Sequence, residues 1–327
     1  MNTKKVAALS LVLSVSKKRS KYRVRNWSEY NAGLKRRGSL TIWLSEEVIE
    51  AWLNKEKTGK RGASNTYNDL AIETVAMIKS IYGLAGRQAV GFVESIFELM
   101  NIEVAVPDHS TLSRRMSSLS IDLAVVPKTA ARHVVIDATG IKIYGEGEWK
   151  TRQHGVSKRR TWRKLHLAVD EDTSEILAVE VSLNDKKDSQ LLDPLLEAIE
   201  DEIEQVSADG AYDTREAYEL IKKRKARVTI PPRKDAKIWQ HGNCKDEPHP
   251  RDQNLRSIRK HGRRKWKRTS NYHRRSLVET TMFRFKTIFS ATAASRTLEN
   301  QTVELKLKGK ALNKMIQLAN PDSVLVT

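Results

Sequence analysis

The chain has 327 residues, of which 39% are hydrophobic and 30% are charged, and its formal net charge is +19. This length allows two domains that each bury a core, and the composition argues against a disordered chain. The charge favours a polyanionic partner, because each neutralised phosphate releases counterions, although a ribosome-associated or merely soluble basic protein would show the same excess.

The chain begins with a basic and apolar extension, residues 1–25. Its apolar run is too short to span a bilayer, and basic residues follow where a signal peptide would have a small-residue cleavage site. A peripheral helix, or a start codon assigned too far upstream, fits this pattern better. No other stretch of the sequence could cross a membrane, so we predict no membrane partner.

Cys244 is the single cysteine of the sequence. A disulfide framework is therefore excluded, and we predict a reducing, cytoplasmic location. The flanking His241 and His249 resemble metal ligands, but their spacing does not complete a zinc motif, so a plain loop is the preferred interpretation.

From about residue 40 to residue 130 the periodicity is helical, and the predicted helical domain is residues 26–130. Ser45 is a candidate N-cap, residues 66–82 carry an apolar stripe, and Gly83 marks a helix end. The segment DHSTLSRRM (108–116) predicts a short polar helix with exposed Arg114 and Arg115. We predict an all-α DNA-binding domain of the helix-turn-helix kind, with an ordinary helical bundle as the alternative.

After residue 130 the pattern changes to strands with intervening helices, which predicts a mixed α/β fold in residues 131–327. The first three strands are predicted to form a meander. The predicted elements are strands at 133–145, 165–170 and 175–182, a helix at 188–204, a strand at 205–209, a helix at 214–225, a strand at 227–231, a polar, loop-like basic insertion at about 233–271, and a final helical region from about 272–276.

Two aspartates lie in or after predicted strands. Asp137 interrupts the apolar run VVIDATG, where an unpaired charge would be costly to bury; it could instead end the strand and cap a turn. Asp209 precedes a glycine, which is an ordinary turn signal, but strand carboxyl ends in α/β sheets are also where sites form. If the first and fourth strands are neighbours, the two carboxylates would face each other.

Such a pair would not easily stay ionised at close range without a cation between them. Carboxylate oxygens suit Mg²⁺ or Mn²⁺, and two such ions can support phosphodiester cleavage. A third carboxylate is then expected, and Glu279 is the candidate. In a helix, Tyr272, Arg275 and Lys286 would share a stripe of roughly 60° with it.

Local patterns give Glu279 two other interpretations. Ser276 and Glu279 have the spacing of a capping box, and Arg275 and Glu279 have that of an i,i+4 ion pair. From these residues alone, a cap or ion pair and a catalytic role are equally well supported.

The motifs together resemble the DDE transposases of the insertion-sequence five family. Tyr272, Arg275, Glu279 and Lys286 reproduce the signature Y-(2)-R-(3)-E-(6)-K of that family. Asp137 and Asp209 are separated by 71 residues and Asp209 and Glu279 by 69, which fits the acidic triad. The resemblance runs from about Trp27 to the C-terminus, and its further similar segments are IDATGIKIYGEGEW (136–149), RRTWRKLHLAVD (159–170), DGAYD (209–213) and TIPPRK (229–234).

The resemblance implies an RNase H-like mixed-sheet catalytic domain in which Asp137, Asp209 and Glu279 hold two Mg²⁺ ions, for which Mn²⁺ can substitute. It implies that Tyr272, Arg275 and Lys286 bind phosphates beside the scissile bond. The implied partners are double-stranded DNA (the terminal inverted repeats and the target) and further copies of this chain on paired ends, in a bacterial, nucleoid-associated setting.

The basic insertion resembles the extra segment of that family and would lie over DNA. Residues 251–275 carry eleven Lys or Arg and one acidic residue. Trp266, inside this run, could stack on a base or pack in the interior.

The predicted function is therefore a Mg²⁺-dependent DNA transposase that cleaves at terminal repeats and joins the 3′ ends to target DNA. The alternatives are a catalytically silent DNA-binding repressor and a nuclease that only hydrolyses.

Overall fold

The computed structural model describes residues 21–55, 66–143, 162–240 and 247–326. Most of the predicted N-terminal extension (1–20), His241 and Cys244 of the candidate metal loop, and the segment 144–161 lie outside the described residues. In the described part of the chain, no helix has both the length and the apolar character needed to span a bilayer.

Helices dominate the first part of the described chain, and strands alternate with helices in the second part. The helices are α1 (Trp27–Arg36), α2 (Glu46–Glu50), α3 (Asp69–Tyr82), α4 (Gly86–Leu99), α5 (His109–Met116), α6 (Leu192–Glu197), α7 (Arg215–Lys223), α8 (Pro250–His261), α9 (Arg263–Thr269), α10 (Ser276–Phe289) and α11 (Leu298–Leu318). The strands are β1 (Lys21–Val24), β2 (Arg132–Ile143), β3 (Trp162–Asp170), β4 (Ile176–Leu183), β5 (Ile203–Ser207), β6 (Arg227–Thr229), β7 (Thr292–Ala293) and β8 (Ser323–Val326). Short 3-10 turns lie at Leu40–Ile42, Asp188–Leu191, Gly210–Tyr212 and Tyr272–Arg275.

The main sheet is mixed, with the strand order β4-β3-β2-β5-β6, and β7 also pairs with β2. The strands β2, β3 and β4 are antiparallel, as predicted for a meander, whereas β5 is parallel to β2 and β6 is parallel to β5. The first and fourth strands of the α/β part are therefore neighbours.

Each face of the sheet has its own apolar core. One core combines β2–β4 side chains such as Val135 and Leu167 with α10, α11 and the N-terminal helices. The other core joins Val134 and Ile136 to α6 and α7. Alternation of side chains along β2 therefore directs Asp137, between Ile136 and Ala138, to the face covered by α10.

The N-terminal helices share their core with this sheet. Helix α3 begins where the Asn68 side chain accepts from the Leu70 amide (3.1 Å), and it ends at Gly83 with φ 64°, as predicted. It packs along α11, and its apolar side chains belong to the same cluster as those of the sheet. The described residues from 27 to 116 form the helices α1 to α5, and α2 to α5 share their apolar core with the sheet.

Helix α5 differs in one respect from its prediction. Arg114 is exposed, but the guanidinium of Arg115 donates to the Tyr67 carbonyl (3.0 Å) and pairs with Asp69. The prediction that Arg115 is exposed is therefore wrong, because it binds α5 to the start of α3. The DNA-binding role of these helices stays a prediction.

The insertion is largely helical between residues 250 and 269, so its prediction as loop-like is wrong. Pro250 occupies the first turn of α8, and His249 Nδ1 accepts from the Arg251 amide (3.2 Å). Sequence periodicity is weak here because charged side chains anchor the helix: Arg251 Nε donates to Asp213 Oδ1 (2.7 Å), and the buried Asp252 accepts from the Trp239 amide (3.0 Å).

The helix predicted at 188–204 is much shorter in the structure. A 3-10 turn precedes α6, which ends at Glu197, and β5 begins at Ile203. Ile199 and Ile203 are buried beyond the helix end, so apolar spacing that resembles a helix belongs partly to a connection and a strand.

Burial of His166 in β3 gives the fold a pH dependence. Its ring is fully buried, Nε2 lies 2.9 Å from Ser182 Oγ, and burial lowers the pKa of His166 from 6.5 to about 4. Between these pH values the unfolded chain binds a proton that the folded chain excludes, so stability falls as pH falls. We expect this group to contribute a slope of up to roughly 1.4 kcal/mol per pH unit in urea unfolding between pH 6.5 and 4. The His166→Asn variant does not titrate there, and an unchanged slope in that variant would contradict the assignment.

Candidate active site

Asp137 lies on β2, and Asp209 lies just beyond the end of the adjacent parallel strand β5. Val135 of β2 pairs with Ser207 of β5, and each aspartate follows two residues later along its own strand direction. β2 continues to Ile143, and Asp137 itself pairs with Leu167 of β3, so this aspartate does not end a strand. The alternative that Asp137 caps a strand end is thereby excluded.

Strand β5 ends at Ser207, two residues before Asp209. The side chain of Asp209 accepts from the Ala211 amide (2.9 Å) and caps the 3-10 turn that follows β5. The turn interpretation of this residue is therefore correct, and the turn leaves Asp209 at the carboxyl end of β5, next to Asp137.

The carboxyl group of Asp137 is largely buried and has two defined partners. Oδ1 accepts from the Ala138 amide (2.8 Å), and Oδ2 accepts from Nη1 of Arg275 (2.5 Å). Burial raises the pKa of Asp137; the Ala138 amide and Arg275 oppose this shift, and the charge of Asp209 adds to it. A buried carboxylate with a second one beside it creates a demand for positive charge.

Arg275 links Glu279 to Asp137. The guanidinium of Arg275 donates to Glu279 as well as to Asp137, so it bridges the two carboxylates. The side chain of Glu279 is 56% exposed at the surface of α10.

The predicted capping box is wrong. Helix α10 continues directly from the 3-10 turn Tyr272–Arg275, and Arg275, in the N-cap position, already has helical backbone angles. Ser276 Oγ donates to the His273 carbonyl (3.1 Å) instead of capping the helix. The predicted ion pair between Arg275 and Glu279 is present.

The remaining signature residues, Tyr272 and Lys286, lie next to Arg275 and to β2, respectively. Tyr272 is buried, and its ring centroid lies 6.0 Å from the Arg275 guanidinium carbon, against which it packs. Lys286 Nζ donates to Oγ1 of Thr139, two residues beyond Asp137 on β2. Trp266 is 2% exposed and its indole donates to Asn254 Oδ1 (3.1 Å), so it packs in the interior and is not available to stack on a base.

Comparison with known families decides the identity. The family model described as "Transposase DDE domain" matches residues 128–314, more than half of the chain, and a second model with the same description matches residues 35–146. The chain belongs to the DDE transposase family. The membership predicted from its motifs, a transposase of the insertion-sequence five type that acts in DNA recombination, is confirmed.

One solved structure is also similar to this transposase. It is the cryo-EM structure of a piggyBac transposase synaptic complex with hairpin DNA, 10% identical in sequence, with a TM-score of 0.41. The match covers 91% of this chain and 77% of that chain.

The carboxylate oxygens of this transposase are suitable ligands for a hard divalent cation, but their arrangement in this structure is not that of a metal site. Asp137 and Asp209 offer oxygen ligands at neighbouring strand ends, as Mg²⁺ and Mn²⁺ prefer. Within the described ranges, however, no three His, Cys, Asp or Glu side chains are grouped closely enough to hold a metal ion. Arg275 lies between Asp137 and Glu279 and supplies the positive charge there.

Two contributors to the site escaped sequence reasoning. Thr139 accepts from Lys286, and the alternation of β2 was the signal that could have placed it beside Asp137. Tyr212 is buried, and its hydroxyl has no hydrogen-bond partner among the described residues. Burial raises its pKa well above the usual value, and the charges of Asp188, Asp137 and Asp209 add to the shift, so this phenol stays protonated beside the carboxylates.

Proposed function

We propose that this transposase binds the terminal inverted repeats of its insertion sequence, cleaves the DNA there and joins the freed 3′ ends to target DNA. The observation that carries the proposal is the juxtaposition of Asp137 and Asp209 at adjacent strand ends, with Glu279 linked to them by Arg275. Three antiparallel strands followed by two parallel ones support an RNase H-like catalytic domain for this site.

In the proposed mechanism, Asp137, Asp209 and Glu279 would hold two Mg²⁺ ions. Such ions would supply Lewis-acid activation of the attacking oxygen and stabilisation of the leaving one. Arg275 binds the phosphate beside the scissile bond, because its planar guanidinium matches two phosphate oxygens. Tyr272 orients that guanidinium through ring contact, and Lys286 neutralises a neighbouring phosphate from the Thr139 side of the site.

The net charge of +19 supports double-stranded DNA as the partner and a nucleoid-associated, cytoplasmic location in a bacterium. Paired transposon ends would require more than one copy of the chain, so the proposal includes a homo-oligomer assembled on DNA.

The test is incubation of the purified chain with a duplex that carries the inverted repeats flanking its gene, a target plasmid, and Mg²⁺ or Mn²⁺. We expect joined products that are absent when the metal is chelated. Nicked products without joining would instead indicate a nuclease, and a mobility shift without any cleavage would indicate a DNA-binding repressor.

Replacement of Lys286 tests phosphate binding apart from the carboxylates. We expect Lys286→Ala to weaken binding to the repeat duplex and to make the slope of log K against log salt shallower by about 0.9, the value for one lost phosphate contact. The matched control is Lys223→Ala at the exposed end of α7. An unchanged slope for Lys286→Ala, measured by fluorescence anisotropy across salt concentrations, would count against the assigned contact.

A further inference from the structure

Helix α10 exposes a large aromatic side chain on the face that carries the active-site residues. Phe283 is 70% exposed, whereas the residues that face the interior (Val278, Thr281, Met282, Phe285 and Phe289) are buried. Scattered exposed apolar residues are ordinary, so the position of Phe283 is what matters.

Phe283 follows Glu279 by four residues and precedes Lys286 by three. At about 100° per residue it lies roughly 40° from Glu279 and 60° from Lys286 around the helix axis, and within about 6 Å of each along it. Along the helix axis the ring therefore lies between the exposed carboxylate and the lysine, and around the axis it lies to one side of both, on the side away from Arg275. Residues three or four apart on a helix are surface neighbours, so a ligand that contacts Glu279 and Lys286 lies within reach of this ring.

The surroundings of Phe283 favour a ligand that carries both a negative charge and a planar, stacking group. Arg275 and Lys286 flank the site, and the chain as a whole carries a net charge of +19. A second copy of this basic chain would bring like charges together at this face, whereas a nucleotide offers a phosphate to the cations and a base to the ring.

We propose that Phe283 stacks on a DNA base that has left the double helix beside the cleaved phosphodiester bond. This inference rests on the proposed function and deepens it by specifying how the same site holds the substrate. A base inside a duplex already stacks on its neighbours, so the ring acts only on a base that has been displaced, which is easiest next to a nick or a distorted end. The side chain is thus a substrate-positioning residue that favours the distorted DNA over the intact duplex.

The experiment uses repeat duplexes that carry 2-aminopurine at single positions on either side of the cleavage boundary, intact or with a nick at that boundary. We expect Phe283→Ala to weaken binding to nicked duplex by about tenfold, the size of one base–aromatic stacking contact, and to change binding to intact duplex much less. Phe283→Trp should retain wild-type affinity, and Phe283→Leu should behave like the alanine variant. At one position, 2-aminopurine fluorescence should be quenched by the wild-type and tryptophan proteins and not by the alanine variant.

Val326→Ala is the matched control, because Val326 is 49% exposed in β8, outside both the predicted helical DNA-binding domain and the candidate active site. Both residues are exposed, so thermal unfolding should be unchanged in every variant, and a lowered melting temperature with Phe283→Ala would overturn the proposal. Equal nicked-duplex affinity for wild type and Phe283→Ala, or full rescue by leucine, would also overturn it. A change of oligomeric state without DNA in Phe283→Ala would show that a second copy covers the ring. Failure of the wild-type chain to bind the repeats would instead refute the proposed function.

Discussion

Asp137→Asn is expected to abolish DNA cleavage while binding of the repeat duplex stays within about twofold of wild type. The substitution keeps the shape of the side chain and removes the charge that the proposed metal-dependent step needs. Loss of several kcal/mol of stabilisation lowers a rate by on the order of 10³-fold or more, since each 1.4 kcal/mol is a factor of ten. Cleavage is measured on end-labelled duplex in single-turnover conditions.

The stability of Asp137→Asn separates this effect from misfolding. Because burial raises the pKa of Asp137 in spite of Arg275, ionising this carboxyl group costs more free energy in the folded chain than in the unfolded chain. A neutral asparagine removes that cost, so the variant should melt at the same temperature as wild type or higher. The control is Asp185→Asn, an exposed position after β4. Full cleavage by Asp137→Asn would remove this residue from the mechanism.

Asp170→Ala is expected to destabilise the fold by about 3–5 kcal/mol, because it removes the buried one of the two carboxylates, Asp170 and Asp201, that pair with the buried guanidinium of Arg132. Arg132 and Asp170 are both fully buried, and Arg132 Nη1 donates to Asp170 Oδ2 (2.5 Å). Asp170 also accepts from the Asp172 amide (2.7 Å) and so orders the turn between β3 and β4. Urea unfolding should show a lower midpoint with an unchanged slope.

The neighbouring Asp172 offers a matched control for Asp170. Its carboxylate pairs with Lys128 (2.9 Å) but is 71% exposed, so Asp172→Ala should cost no more than about 1 kcal/mol. A double variant, Arg132→Met with Asp170→Leu, should recover part of the loss, since it removes both charges. Equal destabilisation by Asp170→Ala and Asp172→Ala would show that burial of the Arg132 pair is not what stabilises this region.

The sequence predicted best where one local pattern sufficed. The antiparallel meander and the termination of α3 at Gly83 follow from strand composition and from the left-handed conformation that glycine adopts easily. Asp137 also stood out locally, because a charge inside an apolar strand has few structural explanations.

The residues around Glu279 could not decide between its roles as a helix cap, an ion-pair partner and a catalytic residue. A capping box and an ion pair depend on the same spacings, and only the backbone angles of Arg275 show that the helix has already begun there. The bridge from Arg275 to Asp137 joins residues 138 positions apart, and no local pattern reports such a contact.

The prediction that the region of helix α8 is loop-like failed for a different reason. The contacts of this helix to the rest of the fold come mostly from polar side chains such as Arg251 and Asp252, so the hydrophobic periodicity typical of packed helices is weak. Polar anchoring depends on partners such as Asp213, which lie far away in the sequence, and it therefore becomes visible only in three dimensions.

The core shared by α3, α11 and the sheet has a consequence for cooperativity. Contacts between α3 (69–82) and α11 (298–318) join the helical and α/β parts into one apolar cluster. Local opening of α3 therefore exposes side chains of the main sheet. A fragment beginning at residue 131 would expose to water the apolar surface that the N-terminal helices cover, and it would be prone to aggregate. Heat or denaturant should accordingly disrupt the helical layer and the carboxylate site together, in a single transition.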